Sequence, residues 1–198
     1  IQLGLMPDRD LGAVLAGKIS MRQAITHYSD GGFDVISGRS GTGSLATLPM
    51  PRINRMLSDL NDVSSKYDKV LVDLGAGIDR TVQAFAENAK TCLLVINDEP
   101  TSLTDAYAFI KVACANNPKI DVRIVVNAAE SKIKGKKTYE TLLKACENFL
   151  KLSPPLLGII HNDPRVKEAI RKQVPLLSRS PATPAADDVE NIVRALNR

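Results

Sequence analysis

Four short apolar runs rich in β-branched residues recur along the chain, Lys69 to Leu74, Thr91 to Asn97, Val122 to Asn127 and Leu156 to Ile160. Each is followed by a stretch of helical character. Their apolar residues are consecutive rather than alternating, so both faces of each strand are expected to be covered. Strand and helix in alternation predict an α/β, doubly wound fold: a mainly parallel sheet with helices on both faces. Ser102 to Ala115 reads as a helix with Ser102 as N-cap and Asp105 at the capping-box position. Tyr139, Leu142, Leu143, Cys146, Phe149 and Leu150 make one apolar helical face. Further helices are expected over Asp10 to Ala16, Ser20 to His27, Ile53 to Lys66, Pro164 to Lys172 and Ala186 to Leu196. Phe33 to Ile36 is a fifth strand candidate, and Ser178 to Pro184 a Pro/Ser-rich link. With 198 residues, 44% of them hydrophobic, the chain suits one domain, residues 1 to 198, with a sizeable core.

Composition narrows the function classes. The three cysteines, Cys92, Cys114 and Cys146, are odd in number, widely spaced and set among apolar residues. That pattern favours reduced core thiols and a cytoplasmic setting over disulfides. With only His27 and His161 and no Cys-x-x-Cys pair, a zinc site is not expected. The net charge of +4 gives no strong nucleic-acid signal, and the basic run Lys132 to Lys137 reads as a solvated loop, with a site for an anionic partner as the less favoured alternative. No apolar run approaches a membrane span. The opening Ile1-Gln2-Leu3-Gly4 carries neither a targeting pattern nor an initiator Met, so Ile1 need not be the natural start.

The four strands all end on polar groups: Asp73, Asn97, Asn127, and His161 with Asn162 and Asp163. In an open parallel sheet the carboxyl ends of the strands face the ligand crevice, so these residues are expected along one edge. Asn and Asp are also ordinary turn and cap residues, and that plain reading stands beside the functional one. Asp73 is different, because it is followed by Leu74-Gly75-Ala76-Gly77. A carboxylate at a strand end can hold Mg²⁺ through water, and a backbone without side chains can bring its N–H groups close to a phosphate. The run is a Walker-B candidate. Gly38-Arg39-Ser40-Gly41-Thr42-Gly43-Ser44 imitates the matching phosphate loop, but Ser44 stands where the lysine is required. As a nucleophile elbow it fails too, since Thr42 replaces the last glycine. It reads as a flexible glycine loop.

"YDKVLVDLGAGID", "LLVINDEPTSLTDAYAFIK", "IVVNAA", "LLGIIHNDPRVKEAI" and "SPATPAADDVENIVRAL" together resemble the MinD/ParA family of deviant Walker-A ATPases, and within it the FlhG/FleN-type branch that sets flagellar number. The resemblance covers essentially the whole chain, Glu99 to Tyr107 being its most specific piece. It implies an ATPase that binds ATP and Mg²⁺ at the carboxyl edge of the sheet, forms a homodimer around the nucleotides, and dissociates on hydrolysis. Carried over, Asp73 is the catalytic Walker-B carboxylate, acting on the metal through water. Gly75 and Gly77 belong to the second switch, Gly75 replacing a proline of many relatives. Asn127 sits where the family reads adenine, and the loop with Asp163 packs against the base. The helix Ser102 to Ala115 would lie near the dimer or partner face, toward a flagellar assembly protein or regulator, or would simply cover the sheet.

The same resemblance places the family's glycine-lysine loop and first-switch aspartate upstream of Ile1, together with a central strand beside the Asp73 strand. The domain is therefore expected to be N-terminally incomplete, a P-loop NTPase-like fold lacking its first strand and P-loop. The chain as it stands is expected to hold neither ATP nor Mg²⁺ tightly and not to hydrolyse ATP, because phosphoryl transfer depends on those lysines. Peripheral membrane contact is implied only through segments beyond Arg198, in the complete protein. The alternatives are a non-enzymatic interaction module of the same fold and, more remotely, a phosphoacceptor receiver, which would want a lysine where Asn97, Asn127 and His161 end the strands.

Overall fold

The computed structural model describes residues 3, 5, 9 to 38 and 48 to 197. The glycine loop after Gly38 lies outside them. Two compact units are present, one of Leu5–Gly75 with Asp79–Asn88, the other of Ala76–Ile78 with the chain from Ala89 onward.

In the N-terminal unit, α1 (Leu11–Leu15) starts on Asp10, whose Oδ1 accepts the Ala13 N–H at 2.8 Å, a side-chain cap on a donor the helix cannot satisfy itself. A tight turn, Arg22–Ala24, leads into β1 (Ile25–Tyr28), which pairs antiparallel with β2 (Phe33–Ile36), Ile25 opposite Ile36 and Tyr28 opposite Phe33. This corrects the helix expected over Ser20 to His27. Ile25 and Thr26 are β-branched and favour a strand. Asp30-Gly31-Gly32 makes the turn, with Gly32 at φ +64°, a conformation glycine adopts without cost. Phe33 to Ile36 therefore belongs to a two-stranded hairpin and not to the parallel sheet. In α2 (Met50–Ser64) the buried residues Ile53, Met56, Leu57 and Val63 recur at helical spacing. They pack with Met21 and with Ala84 and Phe85 of α3 (Arg80–Asn88). Asp79 caps α3, its Oδ1 accepting from the N–H groups of Thr81 at 2.8 Å and Val82 at 3.1 Å.

The run Lys69 to Leu74 also lies in this unit, and it joins no ladder among the described residues. Leu71 is 85% exposed and its neighbours Val70 and Val72 are exposed as well; only Leu74 reaches the core. The expected strand is thus an unpaired apolar segment. A strand is held by ladder hydrogen bonds and by packing on its neighbours, and neither is supplied here.

In the C-terminal unit, β3 (Cys92–Ile96), β4 (Val122–Ala129) and β5 (Leu156–His161) form a parallel sheet in the order β3-β4-β5, as expected for the other runs. Helix α4 (Pro100–Asn116) follows β3, α5 (Lys132–Ala145) follows β4, and α6 (Pro164–Lys172), α7 (Leu176–Arg179) and α8 (Pro184–Leu196) follow β5. α4 begins before Ser102: Glu99 takes the cap position, and the Ser102 Oγ instead accepts the Asn97 N–H at 3.1 Å. Proline in the first helical turn explains the earlier start, because its missing N–H would be unpaired there in any case. The core gathers Ile124 and Val126 of β4, Ile110 of α4, Leu142 of α5 and Cys146, all almost fully buried. Side chains alternate across a strand, and β5 shows the two faces directly. A Cβ on Gly158 would lie 2.4 Å from Ile192 of α8, while Ile159 lies 2.5 Å from where a Cβ on Gly135 of α5 would be. α5 and α8 therefore cover opposite faces of the sheet.

All three cysteines are free, with Cys146 buried and Cys92 and Cys114 half-buried. Burial raises each thiol pKa. Among the described residues, no helix is long and apolar enough to cross a membrane.

Candidate functional site

The carboxyl ends of β4 and β5 are adjacent and carry two of the expected site residues. Asn127 is exposed near the end of β4. The next residue, Ala128, has φ +53°, a left-handed conformation uncommon outside glycine and asparagine, and the β4–β5 register breaks between Val126 and Ala129. The strand thus turns out of the ladder at Asn127 and then rejoins β5 at its last residue, where the Asn162 N–H donates to the Ala129 carbonyl at 2.8 Å.

Asp163 follows immediately as N-cap of α6. Its Oδ1 accepts the Arg165 N–H at 2.9 Å, the plain capping role foreseen for a polar strand end. Its Oδ2 is buried and has no hydrogen-bond partner among the described residues. Buried carboxylate oxygens are normally satisfied, and one left alone asks for a donor from outside the chain. Asn97, by contrast, is accounted for locally: its Oδ1 accepts the Glu99 N–H at 3.1 Å and its own N–H is held by Ser102. It is a turn residue.

One residue of this rim was not legible in the sequence. Asp188 of α8 is only 5% exposed, and its Oδ2 accepts both the backbone N–H of His161 at 3.0 Å and the His161 Nδ1 hydrogen at 2.6 Å. Its Oδ1 faces the ammonium of Lys132 at 3.7 Å. A signal for it exists. Asp188 falls between Ala185 and Ile192 at helical spacing, an acid on the apolar stripe of an otherwise amphipathic helix.

The remaining expected residues are Asp73, Gly75 and Gly77. Asp73, in the N-terminal unit, is exposed and makes no hydrogen bond or ion pair among the described residues. Among the described residues, Gly75 and Gly77 have nothing within 4 Å of the place a Cβ would occupy, and Gly77 is at φ +133°, a backbone shape that only glycine adopts without strain.

A three-stranded parallel sheet covered on both faces, with its polar residues at the strand ends, is the α/β architecture of P-loop NTPase-like proteins. The comparisons agree. The chain is 32% identical over 186 residues to the antiactivator FleN of Pseudomonas aeruginosa, a match spanning 94% of this chain and 66% of that protein. It is 29% identical over 195 residues to the flagellum site-determining protein YlxH of Helicobacter pylori, spanning 98% of this chain and 65% of that one. Among solved structures, the septum site-determining protein MinD of Pyrococcus horikoshii, complexed with Mg-ADP, superposes with a TM-score of 0.76 at 17% identity, over 100% of this chain and 77% of that chain. No protein-family model matches. The chain belongs to the MinD/ParA family. It spans about two thirds of the length of these curated relatives.

Proposed function

We propose that the chain is part of a MinD/ParA-type ATPase that switches between monomer and ATP-bound homodimer and regulates the number or placement of flagella. The observation that carries the reading is similarity along nearly the whole chain to an antiactivator and to a flagellum site-determining protein. The site residues fit an adenine nucleotide with Mg²⁺. Asp163 offers a buried, unpartnered acceptor suited to an amino group, and Asn127 offers an exposed amide whose donor and acceptor are both unused by the fold. Gly75 and Gly77 leave backbone free for phosphate oxygens. Among the described residues no three acids, histidines or cysteines cluster as a metal site. Asp73 would hold Mg²⁺ through its water shell, the mode this reluctantly dehydrated ion prefers.

Bound there, the metal would neutralise charge developing on the phosphates. The part of this chain is to hold and orient: Asp73 receives hydrogen bonds from the metal's waters, Asn127 and Asp163 receive the base, and the glycine loop presents N–H groups. In this reading the dimeric switch acts on a flagellar assembly protein or regulator in the cytoplasm. Light scattering on the full-length protein tests the reading. Mg-ATP is expected to double the mass and Mg-ADP to leave it monomeric, with Asp73→Ala abolishing the difference and altering flagellar number in cells. An unchanged mass in both nucleotides would refute it.

A further inference from the structure

Asp188 is a buried carboxylate on the apolar stripe of α8. Desolvating an ionised carboxyl group is costly, and an apolar residue on that stripe would commonly pack as well or better. Its hydrogen bonds show what it does instead. Through Oδ2 it holds both the backbone N–H and the ring of His161, the last residue of β5, and through Oδ1 it draws in Lys132, the first residue of α5. An ionised carboxylate only accepts, so the His161 ring is fixed with its hydrogen on Nδ1. Asp188, itself buried, thus joins α8 to β5 and to the start of α5 by charge-assisted contacts, the His161 pair being the more sheltered and the Lys132 arm lying toward solvent. Two of those elements carry the loops of the candidate base site. Asp163 lies two residues beyond His161, and Asn127 opens the loop that ends at Lys132. The Asn162-to-Ala129 hydrogen bond ties the same two loops at backbone level.

We propose that Asp188 is a positioning residue for base recognition: acting through His161 and Lys132, it sets the relative placement of the two loops so that Asn127 and Asp163 address one purine. It touches no ligand itself. The inference rests on the nucleotide reading above and assigns the base-reading part of that site a support from the C-terminal helix. A purine presenting an amino group satisfies the free Asp163 oxygen, whereas one presenting a carbonyl there meets an acceptor with an acceptor, and sites built on such hydrogen bonds discriminate strongly.

The test uses the full-length protein with Mg-ATP, Mg-GTP and inorganic tripolyphosphate as probes, measured by calorimetry and competition. Asp188→Ala is expected to weaken ATP about tenfold, a scale set by loss of ordering of two base contacts. It should narrow the preference for ATP over GTP and leave tripolyphosphate affinity unchanged. Asp188→Asn keeps one accepting oxygen and should recover part of the ATP affinity. Lys132→Met removes only the ionic arm from an exposed side chain, folds in any event, and should weaken ATP by about twofold. Wild-type affinity and preference in Asp188→Ala would overturn the proposal, as would equal losses for ATP and tripolyphosphate. If Asp188→Ala does not fold, an unchanged ATP affinity in both Asp188→Asn and Lys132→Met overturns it. Failure of the wild-type protein to bind ATP would instead refute the nucleotide reading, and this inference with it.

Discussion

Lys69 to Leu74 and Val122 to Val126 are nearly the same kind of sequence, yet one is an exposed, unpaired segment and the other the central strand of a sheet. Ile124 has no accessible surface and Leu71 has most of its own. β4 has a partner on each side and helices on both faces; the Asp73 run has no ladder neighbour among the described residues. Local propensity for β structure is a conditional quantity, realised only where neighbours supply hydrogen bonds and burial. The comparison also sorts the candidate site. Asn127 and Asp163 stand at or just beyond the ends of paired strands, whereas Asp73 lies within a segment that joins no ladder among the described residues.

The largest test of this contrast is Ile124→Ala. It removes a fully buried side chain from the middle strand and should cost about 3 kcal/mol, seen as a lower urea midpoint for the C-terminal unit. A loss below about 1 kcal/mol would mean that the sheet is less tightly packed than its burial indicates. Gly158→Ala comes next. A Cβ 2.4 Å from Ile192 must push α8 off β5, and overpacking of this kind costs about 1–3 kcal/mol. Hydrogen exchange of the β5 amides would show it as faster exchange.

The N-terminal unit offers a pH-dependent counterpart. Asp34 is held below the ordinary carboxylate range, chiefly by the Tyr67 hydroxyl donating at 2.6 Å and then by His27 at 2.7 Å. A depressed folded pKa stabilises above the unfolded value of about 3.9 and is lost as pH falls through the folded value. Denaturation of this unit should therefore become easier as the solution is acidified below about pH 4, and Asp34→Asn should flatten that dependence. The same bond pushes the Tyr67 phenol up, so the stabilisation from that side is lost only at alkaline pH. The smallest effect is expected for Leu71→Lys. An 85% exposed side chain should change stability by no more than about 0.5 kcal/mol while raising solubility, since an exposed apolar segment invites association. A large loss would show that Leu71 is covered in solution.

The parallel sheet was legible because β3, β4 and β5 are uninterrupted apolar runs bounded by turn residues and separated by helices of ordinary length. The hairpin was not. Ile25 to Tyr28 reads as the tail of a helix unless Asp30-Gly31-Gly32 is weighted as a turn, and it is that turn which pairs it with Phe33 to Ile36. Asp73, Gly75, Gly77, Asn127 and Asp163 stand out in the sequence as polar residues or glycines at the ends of apolar runs, their roles coming from the family resemblance; the structure sets Asn127 and Asp163 beside the ends of β4 and β5. Asp188 does not stand out, because its role depends on a contact with His161 that is 27 residues distant, and one of three acids in α8, beside Asp187 and Glu190, ordinarily faces solvent.

Titration of the full-length protein with ATP, with and without Mg²⁺ and with Asp73 intact or replaced by alanine, bears most directly on the central claim that these strand ends receive a nucleotide. Saturable binding that tightens with Mg²⁺ in the native protein, and loses that tightening in Asp73→Ala, is the expected result. Heats indistinguishable from dilution, or a metal dependence unaltered by the substitution, would contradict it.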